Sequence, residues 1–341
     1  MKKNDIIKIL AKKNIKKTTA AKVYGVDGIG LSATTLTRTD DGASFATLTA
    51  PSDIYNFFID NADTTDNFGN HFVKIKKFYV KITQNGGGSQ KWQVSNIQQT
   101  GYLLPRYFLD KDGNELDYAY YGKYKGYVSN SKLQSISGVV PTYNKTIDNF
   151  RTYARANSAN YIDTDMFAVF VAQCMFMITY ATTNTNSIIS YRNYGATTGS
   201  GSTYLGIEDL VGNGYEFIDG CSWNASGIIY KSLISEYAGQ VTSGIQITTA
   251  KTDGWAMQKT HSTDSSGYVV PESTTFAISV GGSKTTYLCD YQSFGGSGYP
   301  LVFWGACGAS DYSGLFCFSC ILSWSGTDTQ TGSRLHAKIL S

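Results

Sequence analysis

Residues 206–220 (GIEDLVGNGYEFIDG) constrain the fold more than any other stretch of the chain. Acids and an amide alternate there with turn-forming glycines and with apolar side chains typical of a core. The pattern fits neither the period of an amphipathic helix nor the strict alternation of a strand. Asn and Asp side chains bond neighbouring backbone groups, and Gly allows the backbone angles of tight turns. The stretch therefore predicts a compact loop braced by its own side chains.

This pattern resembles the core motif of the superfamily that contains the formylglycine-generating enzymes and the C-type-lectin-like domains. A second segment, Gly332-Ser333-Arg334-Leu335, resembles the strand with which these domains close. The resemblance implies a C-type-lectin-like domain in which the motif side chains brace the fold. The matching positions are Gly206, Glu208, Gly212, Asn213, Glu216, Asp219 and Arg334.

The composition favours a β-rich, loop-rich protein with a polar but uncharged surface. Charged residues make up 16% of the 341 residues, whereas Gly numbers 35 and Tyr 25. Such surfaces are common on binding proteins, because Tyr offers contact area at a low entropic cost. An ordinary β-rich protein would have the same composition, so composition alone leaves both interpretations open.

The first seventeen residues form a basic segment. Seven lysines and one aspartate give residues 1–17 a local charge of +6, so the rest of the chain carries −3. Interleaved isoleucines and a leucine predict a short amphipathic helix. No long apolar stretch follows the lysines, and no run is long enough for a membrane span, so we expect neither an export signal nor a transmembrane helix. Aromatic residues are absent from this segment, which favours a solvated docking arm over nucleic-acid binding.

Residues 22–50 predict two short strands joined through a turn at Asp27-Gly28. Their sequence, YGV followed by LTRTDD, resembles the N-terminal region of many tailed-phage structural proteins. Together the resemblances imply three parts. These are a basic docking arm over residues 1–20, a small β-rich virion-attachment region over 21–90, and a C-type-lectin-like domain over 91–341.

Further elements follow from hydrophobic periodicity. Alternation over residues 72–98 predicts a hairpin with a glycine-rich loop at 86–88, and strand-like pieces continue at 102–109 and 118–127. A helix begins after Thr146 as its N-cap, and a second, apolar nearly all round, runs from Met166 to about residue 182. Asp163 or Thr164 is the expected cap of the second helix. The polar loop 182–201 is expected to be exposed. The fold class is therefore α+β, with two helices and long loops.

Formylglycine-generating enzymes hold copper with a pair of cysteines near their last strands. Here Cys307 follows the corresponding glycine turn, but residues 309–313 contain no cysteine. A linear Cu(I) site needs two thiolates, so we expect no oxidase activity and no cofactor. Cys317 and Cys320 have the spacing of a metal pair, yet no second pair or cluster of histidines accompanies them.

The acids of the motif offer two further chemical readings. Glu208, Glu216, Asp219 or Asp290 could supply a carboxylate pair for glycoside hydrolysis. The resemblance, however, implies that Glu208 and Glu216, together with Asn213, brace the fold. Calcium binding is possible, with Glu208, Asp209 and Asp219 as the candidate ligands.

Aromatic residues on glycine- and serine-rich segments near the C-terminus predict a binding surface. Flat apolar faces with adaptable polar neighbours suit the recognition of a carbohydrate or a protein. Trp304 and Phe316 are expected to be buried. The candidate ligand-binding residues are Tyr291, Phe294, Tyr299, Asp311, Tyr312 and Trp324.

Taken together, these features predict a virion protein of a tailed phage that binds a host-surface glycan or protein. The N-terminal region would attach it to other virion proteins of a fibre, the tail or the head, and a homotrimer is the expected assembly. The alternative is a purely structural capsid or tail component that recognises no receptor. An oxidase of the formylglycine-generating type is disfavoured.

Overall fold

The structure is a computed structural model. It describes residues 21–40, 51–85, 89–224, 227–247, 254–258, 262–263, 269–270, 279–283, 285–289, 291–294, 303–304, 314–320 and 322–341. The predicted docking arm over residues 1–20 lies outside these ranges.

Helices and strands are mixed along the chain. The helices are α1 (Pro51–Phe58), α2 (Ile147–Arg155) and α3 (Met166–Tyr180). The strands up to α3 are β1 (Val23–Ile29), β2 (Thr37–Arg38), β3 (Ile59–Thr65), β4 (His71–Lys76), β5 (Tyr79–Gln84), β6 (Gln90–Ser95), β7 (Tyr118–Gly122), β8 (Tyr127–Ser129), β9 (Lys132–Gln134) and β10 (Tyr161–Ile162). This order of elements is that of an α+β protein, as predicted.

The strands after α3 are short. They are β11 (Thr203–Tyr204), β12 (Ile207–Glu208), β13 (Tyr215–Phe217), β14 (Cys221–Asn224), β15 (Gly227–Tyr230), β16 (Ile245–Ile247), β17 (Gly254–Gln258), β18 (Ser262–Thr263), β19 (Val269–Val270), β20 (Ser279–Val280), β21 (Tyr291–Phe294), β22 (Phe303–Trp304), β23 (Phe318–Cys320), β24 (Thr331–Gly332) and β25 (His336–Ala337). The motif strand β13 pairs with β22 and β24 in a sheet of order β20-β17-β21-β23-β22-β13-β24.

Helix α3 lies at the centre of the main core. Every residue from Met166 to Thr179 is buried, as the all-round apolar sequence predicts. The helix begins after Asp165, whose side chain accepts a hydrogen bond from Ala168 N at 2.7 Å. The prediction of Asp163 or Thr164 as the cap was therefore wrong, because the side chains of both residues face the 206–220 motif instead.

The N-terminal strands are fastened to the C-terminus of α3. Arg38 donates a hydrogen bond to the carbonyl of Ile178 at 2.6 Å and two more to Asp40. Asp40 in turn accepts the backbone N–H of Gly25. A Cβ at Gly25 would lie 2.5 Å from Thr39 Oγ1, so only glycine fits there. Hydrogen bonds among Gly25, Arg38 and Asp40 thus hold the N-terminal strands against the last turn of α3.

Residues on both sides of the predicted boundary at 90/91 share two sheets. β1 pairs with β2 and β6, and β6 also pairs with β5, which gives the order β2-β1-β6-β5. A second sheet has the order β10-β25-β7-β4-β3 and so joins strands from both ends of the chain. Trp92 of β6 packs on Phe170 of α3, with ring centroids 5.8 Å apart. The predicted boundary therefore falls inside shared sheets and a shared core.

Some local predictions need correction. The alternating stretch 72–98 contains the predicted hairpin as β5 and β6, but β4 pairs instead with β3 and β7. The predicted turn at Asp27-Gly28 lies within β1, where the pairing with β6 is irregular. The expected strand at 102–109 holds a 3-10 turn at Arg106–Phe108, because Phe108 N bonds back to Pro105 O. Helix α2 begins after Thr146, as predicted, with a reciprocal bond to Asn149.

Two loops with the sequence D-x-x-G-N adopt one hydrogen-bonding pattern. In the first, Asp66 Oδ1 accepts the N–H groups of Phe68 and Asn70 and Oδ2 accepts the Asn70 amide. Asp110 does the same for Asp112 and Asn114. Such side-chain bonds fix a tight turn between strands. The first loop is more deeply buried, and Tyr161 OH also donates to Asp66 at 2.8 Å.

No helix among the described residues is long and apolar enough to cross a membrane.

These matched loops predict unequal costs for one substitution. Asp66→Ala should lower the free energy of unfolding by about 2–4 kcal/mol, because buried donors are left unpaired, and Asp110→Ala by about 1 kcal/mol, because water replaces the lost bonds. Urea unfolding of the two variants measures the difference. If both variants lost the same free energy of unfolding, burial would not be the cause of the difference between the two loops.

Candidate functional site

Glu216, in the motif strand β13, is the centre of a buried ion network. Its Oε1 accepts bonds from Lys125 Nζ at 2.6 Å and Arg334 Nε at 3.0 Å, and Oε2 accepts the Thr164 hydroxyl at 2.7 Å. Glu216 and Arg334 are fully buried, and the Lys125 side chain is 3% exposed. Burial alone would raise the pKa of Glu216, but the two cations and the hydrogen bonds lower it to about 2.

Arg334 joins three separate parts of the chain. Besides Glu216, it donates to the carbonyls of Gly122 and Lys123 at 3.1 and 3.3 Å and to that of Asp209 at 2.8 Å. The guanidinium therefore connects the C-terminal segment, the end of β7 and the motif loop. A planar group with five donors suits this position better than a lysine would.

A second ion cluster holds the loop that precedes the motif. Arg192 donates from Nε to both Asp209 carboxylate oxygens and from Nη2 to Glu208 at 3.1 Å. The carboxylate of Glu208 also accepts the Gly199 N–H, at 2.9 Å to each oxygen. The expectation that loop 182–201 is exposed was therefore wrong in part. Ion pairs and buried threonines, including Thr185 and Thr198, hold it against the motif.

Asn213 uses its whole side-chain amide to brace the same loop. Its Nδ2 donates to Ala196 O and to Asp209, both at 3.0 Å, and its Oδ1 accepts from Ala196 N and the Tyr143 hydroxyl at 3.1 Å. The backbone has φ of 48°, a left-handed conformation that Asn tolerates.

The motif glycines permit close approach as well as turning. Gly212 has φ of 87°, and a Cβ there would lie 2.7 Å from the backbone nitrogen of Arg192. Gly206 has φ of 86° and lies against Ala62 and Val73. A side chain at either position would combine backbone strain with a steric conflict.

Asp219, at the end of the motif, connects it to helix α2. The Arg151 guanidinium binds both Asp219 oxygens, through Nε at 2.8 Å and through Nη2, and also contacts Asp148. Trp324 donates its indole N–H to Asp148 at 2.9 Å and lies 5.4 Å from the Arg151 guanidinium carbon. The only candidate ligand-binding residue with a described side chain therefore packs half-buried against α2.

His336 lies beside the Glu216 network. Its Nε2 is 3.3 Å from the Thr164 hydroxyl and its Nδ1 is 3.1 Å from the Tyr107 hydroxyl. Burial lowers the pKa of His336 well below its ordinary value, so the ring is neutral. His336 and Glu216 are completely buried. They can therefore reach an external substrate only if the fold opens locally.

The calcium candidates are already engaged by cations and amides. Glu208 and Asp209 bind Arg192, and Asp219 binds Arg151, so a metal ion would have to displace an arginine from each. Within the described ranges, no group of three or more His, Cys, Asp or Glu side chains is arranged to hold a metal ion.

The described cysteines are buried. They are Cys174, Cys221, Cys289, Cys317 and Cys320. Burial raises the pKa values of the Cys174, Cys221 and Cys320 thiols well above the ordinary value, which keeps them protonated and unreactive. Cys307 lies outside the described residues.

The remaining candidate ligand-binding residues fall in or between strands of the motif sheet. Tyr291 and Phe294 begin and end β21, which runs parallel to β23. Tyr299, Asp311 and Tyr312 lie outside the described residues. Phe316 is 2% exposed, as expected of a core residue.

A surface cleft of about 300 Å³ shares no residue with the motif. It is lined by Lys22, Asp53, Asn56, Phe57, Lys76 and Asn96. None of these six described lining residues is a Ser, a Cys or a His.

Sequence reasoning missed the cations that complete these networks. Lys125, Arg151 and Arg192 carry no motif of their own, and Lys125 is 91 positions from Glu216. One signal was available. Charged residues are scarce, so a lysine or arginine among aromatic residues is a candidate partner for a motif acid.

Neither a scan against models of known protein families nor a search of curated proteins found a match to this chain.

The Glu216 network predicts a specific loss of stability in acid. Because the folded-state pKa of Glu216 is about 2, below its ordinary 4.5, its contribution is present above pH 4.5 and is lost as the pH falls towards 2. The loss should amount to roughly 3 kcal/mol. Glu216→Gln should lower the unfolding free energy by about 3–5 kcal/mol at neutral pH, because it leaves two buried cations without a counter-charge. The deficit should shrink in acid.

Asn213→Ala is the matched control, because it breaks buried bonds without removing a titrating group. It should cost about 1–3 kcal/mol at every pH. Urea unfolding of both variants at neutral pH and in acid separates the two behaviours. A Glu216→Gln deficit that does not change with pH would contradict the ion network.

Proposed function

We propose that the protein is a virion protein of a tailed phage that displays a C-type-lectin-like domain for binding to the host surface. The fibre, the tail or a head decoration would carry it, and a homotrimer is the proposed assembly. The N-terminal region, which combines the basic segment 1–20 with the β-rich residues 21–90, is the proposed contact to other virion proteins. The proposed receptor is a glycan or a protein exposed on the host cell.

One observation carries the proposal. The two signature segments meet in the core, where Arg334 binds Glu216, 118 positions away in the sequence, and the carbonyl of Asp209, and where β24 pairs with β13. Such a contact is what the superfamily resemblance requires of a motif strand and a closing strand. The same sheet contains β21, β22 and β23, and the segments between these strands hold Tyr299, Asp311 and Tyr312.

This arrangement supports recognition by loops on a rigid base. The motif strand β13 is fixed by ion pairs and by its pairing with β22 and β24. Binding residues are commonly carried by loops that a rigid scaffold positions. Aromatic residues among glycines and serines then supply contact area with adaptable polar neighbours.

Removal of the proposed aromatic contacts should separate binding from folding. The combined variant Tyr291→Ala, Phe294→Ala, Tyr312→Ala should melt within a few degrees of wild type while its binding to host cells falls at least about tenfold, since buried aromatic anchors dominate such interfaces. Flow cytometry with labelled protein measures binding, and calorimetry measures melting. Tyr194→Ala, at a tyrosine that is 47% exposed outside this region, is the matched control and should bind normally.

Two outcomes would contradict the assignment of the surface. A variant that fails to fold would identify the three residues as core. A folded variant that binds like wild type would locate recognition elsewhere or favour the structural alternative, in which the protein recognises no receptor.

An oxidase of the formylglycine-generating type makes a different prediction. Titration with Cu(I) should give no stoichiometric thiolate-bound copper, because the second cysteine of the pair is missing after Cys307. One tightly bound equivalent that is lost in Cys307→Ser would instead revive the oxidase reading.

A further inference from the structure

The carboxyl group of Asp163 is buried without a donor. The residue is 0% exposed, and neither carboxylate oxygen accepts a hydrogen bond from the described chain. Buried polar side chains are almost always hydrogen-bonded, and a buried unpaired carboxylate is costly. Asp163 therefore needs either a counter-charge or a proton.

The nearest cation is already occupied. Arg151 uses Nε and Nη2 on Asp219 and Nη1 on Asp148. Lys338 donates to the Tyr107 carbonyl at 2.8 Å. Asp163 is thus an acid without a cation of its own, and it lies next to Asp219, whose carboxylate is already paired with Arg151.

Several other ionisable groups surround this pair. Helix α2 contributes Arg151 and Asp148, and the motif and the residue after its end contribute Asp219 and Cys221. The remaining groups are Asp165 at the cap of α3, Tyr237 in the turn after β15, and Lys338 and His336 in the C-terminal segment. Asp165 is itself satisfied by Ala168 N at 2.7 Å and by the Tyr237 hydroxyl at 3.2 Å.

A proton on Asp163 satisfies both carboxyl groups. Burial raises the pKa of Asp163 well above its ordinary value, and the negative charge of Asp219 raises it further, against the opposing effect of Arg151. The protonated group can donate its hydrogen to Asp219, a bond that also favours the neutral form.

We propose that Asp163 and Asp219 share one proton in the folded protein and that this pair is a pH-sensitive latch between α2, α3 and the 206–220 motif. Loss of the proton leaves the buried carboxylates of Asp163 and Asp219 both negatively charged, and Arg151 bonds only the second of them. Repulsion between the two carboxylates then weakens the packing of the segment before α3 against the motif, at the point where Arg151 joins the motif to α2. The latch does not depend on what the protein binds.

The direction of the pH dependence follows from linkage. A carboxyl whose folded-state pKa is raised contributes its full stability below its ordinary pKa of 3.8. As the pH rises from there to the folded-state pKa, the folding equilibrium constant falls about tenfold per pH unit. This sign is opposite to that of Glu216.

Asp163→Asn tests the latch, because an amide has the shape of the protonated acid and does not titrate. Its folding equilibrium constant should match that of wild type in acid and exceed it by up to about tenfold for each pH unit above the ordinary pKa. Asp219→Asn is the matched control and should be less stable than wild type at neutral pH, because Arg151 loses its counter-charge. Urea unfolding across pH measures both. A constant or negative effect of Asp163→Asn at neutral pH would overturn the proposal.

Two measurements keep the test open if Asp163→Asn does not fold. Infrared difference spectra of wild type against Asp163→Glu should contain the C=O stretch of a protonated carboxyl at neutral pH, and its absence would overturn the shared proton. Hydrogen exchange in wild type should show α2 and the start of α3 opening more readily as the pH rises, after correction for the intrinsic rate. Unchanged protection in both segments would overturn the latch.

Discussion

The rest of the structure depends on the ion pairs that the buried carboxylate of Glu216 makes with Lys125 and Arg334. The carboxylate lies between two cations from distant parts of the chain, Lys125 after β7 and Arg334 before β25. A buried ion pair stabilises a fold only when its remaining donors and acceptors are satisfied. Here the Thr164 hydroxyl and four backbone carbonyls complete the network. The motif is therefore the point at which β7, the segment before α3 and the C-terminus are held together.

Helix α3 has the corresponding role in the apolar core. It is buried along nearly its whole length, and its two ends are fixed by polar contacts with different parts of the chain. Asp165 caps its first turn beside the motif, while Arg38 binds a carbonyl at its last turn. The N-terminal strands therefore pack as part of the same core.

Local rules predicted the elements whose causes are local. Thr146 and Asn149 are three positions apart, so the start of α2 could be predicted from sequence. Three good capping residues precede α3, and the choice of Asp165 was not predictable, because distant partners engage Thr164 and Asp163. The acids of the motif could be singled out by resemblance. Their cations could not, since Lys125 lies 91 positions from Glu216 in the sequence and carries no motif of its own.

The ion networks around the motif and the proposed binding surface have different roles. Ion pairs and glycines fix the motif strand, and the aromatic residues after position 290 are proposed to contact the host. The most direct test is competition, in which host cells are incubated with purified protein before the phage is added. Receptor recognition predicts that adsorption falls in proportion to the dose of folded protein. Adsorption that stays unchanged at saturating doses of folded, oligomeric protein would contradict it.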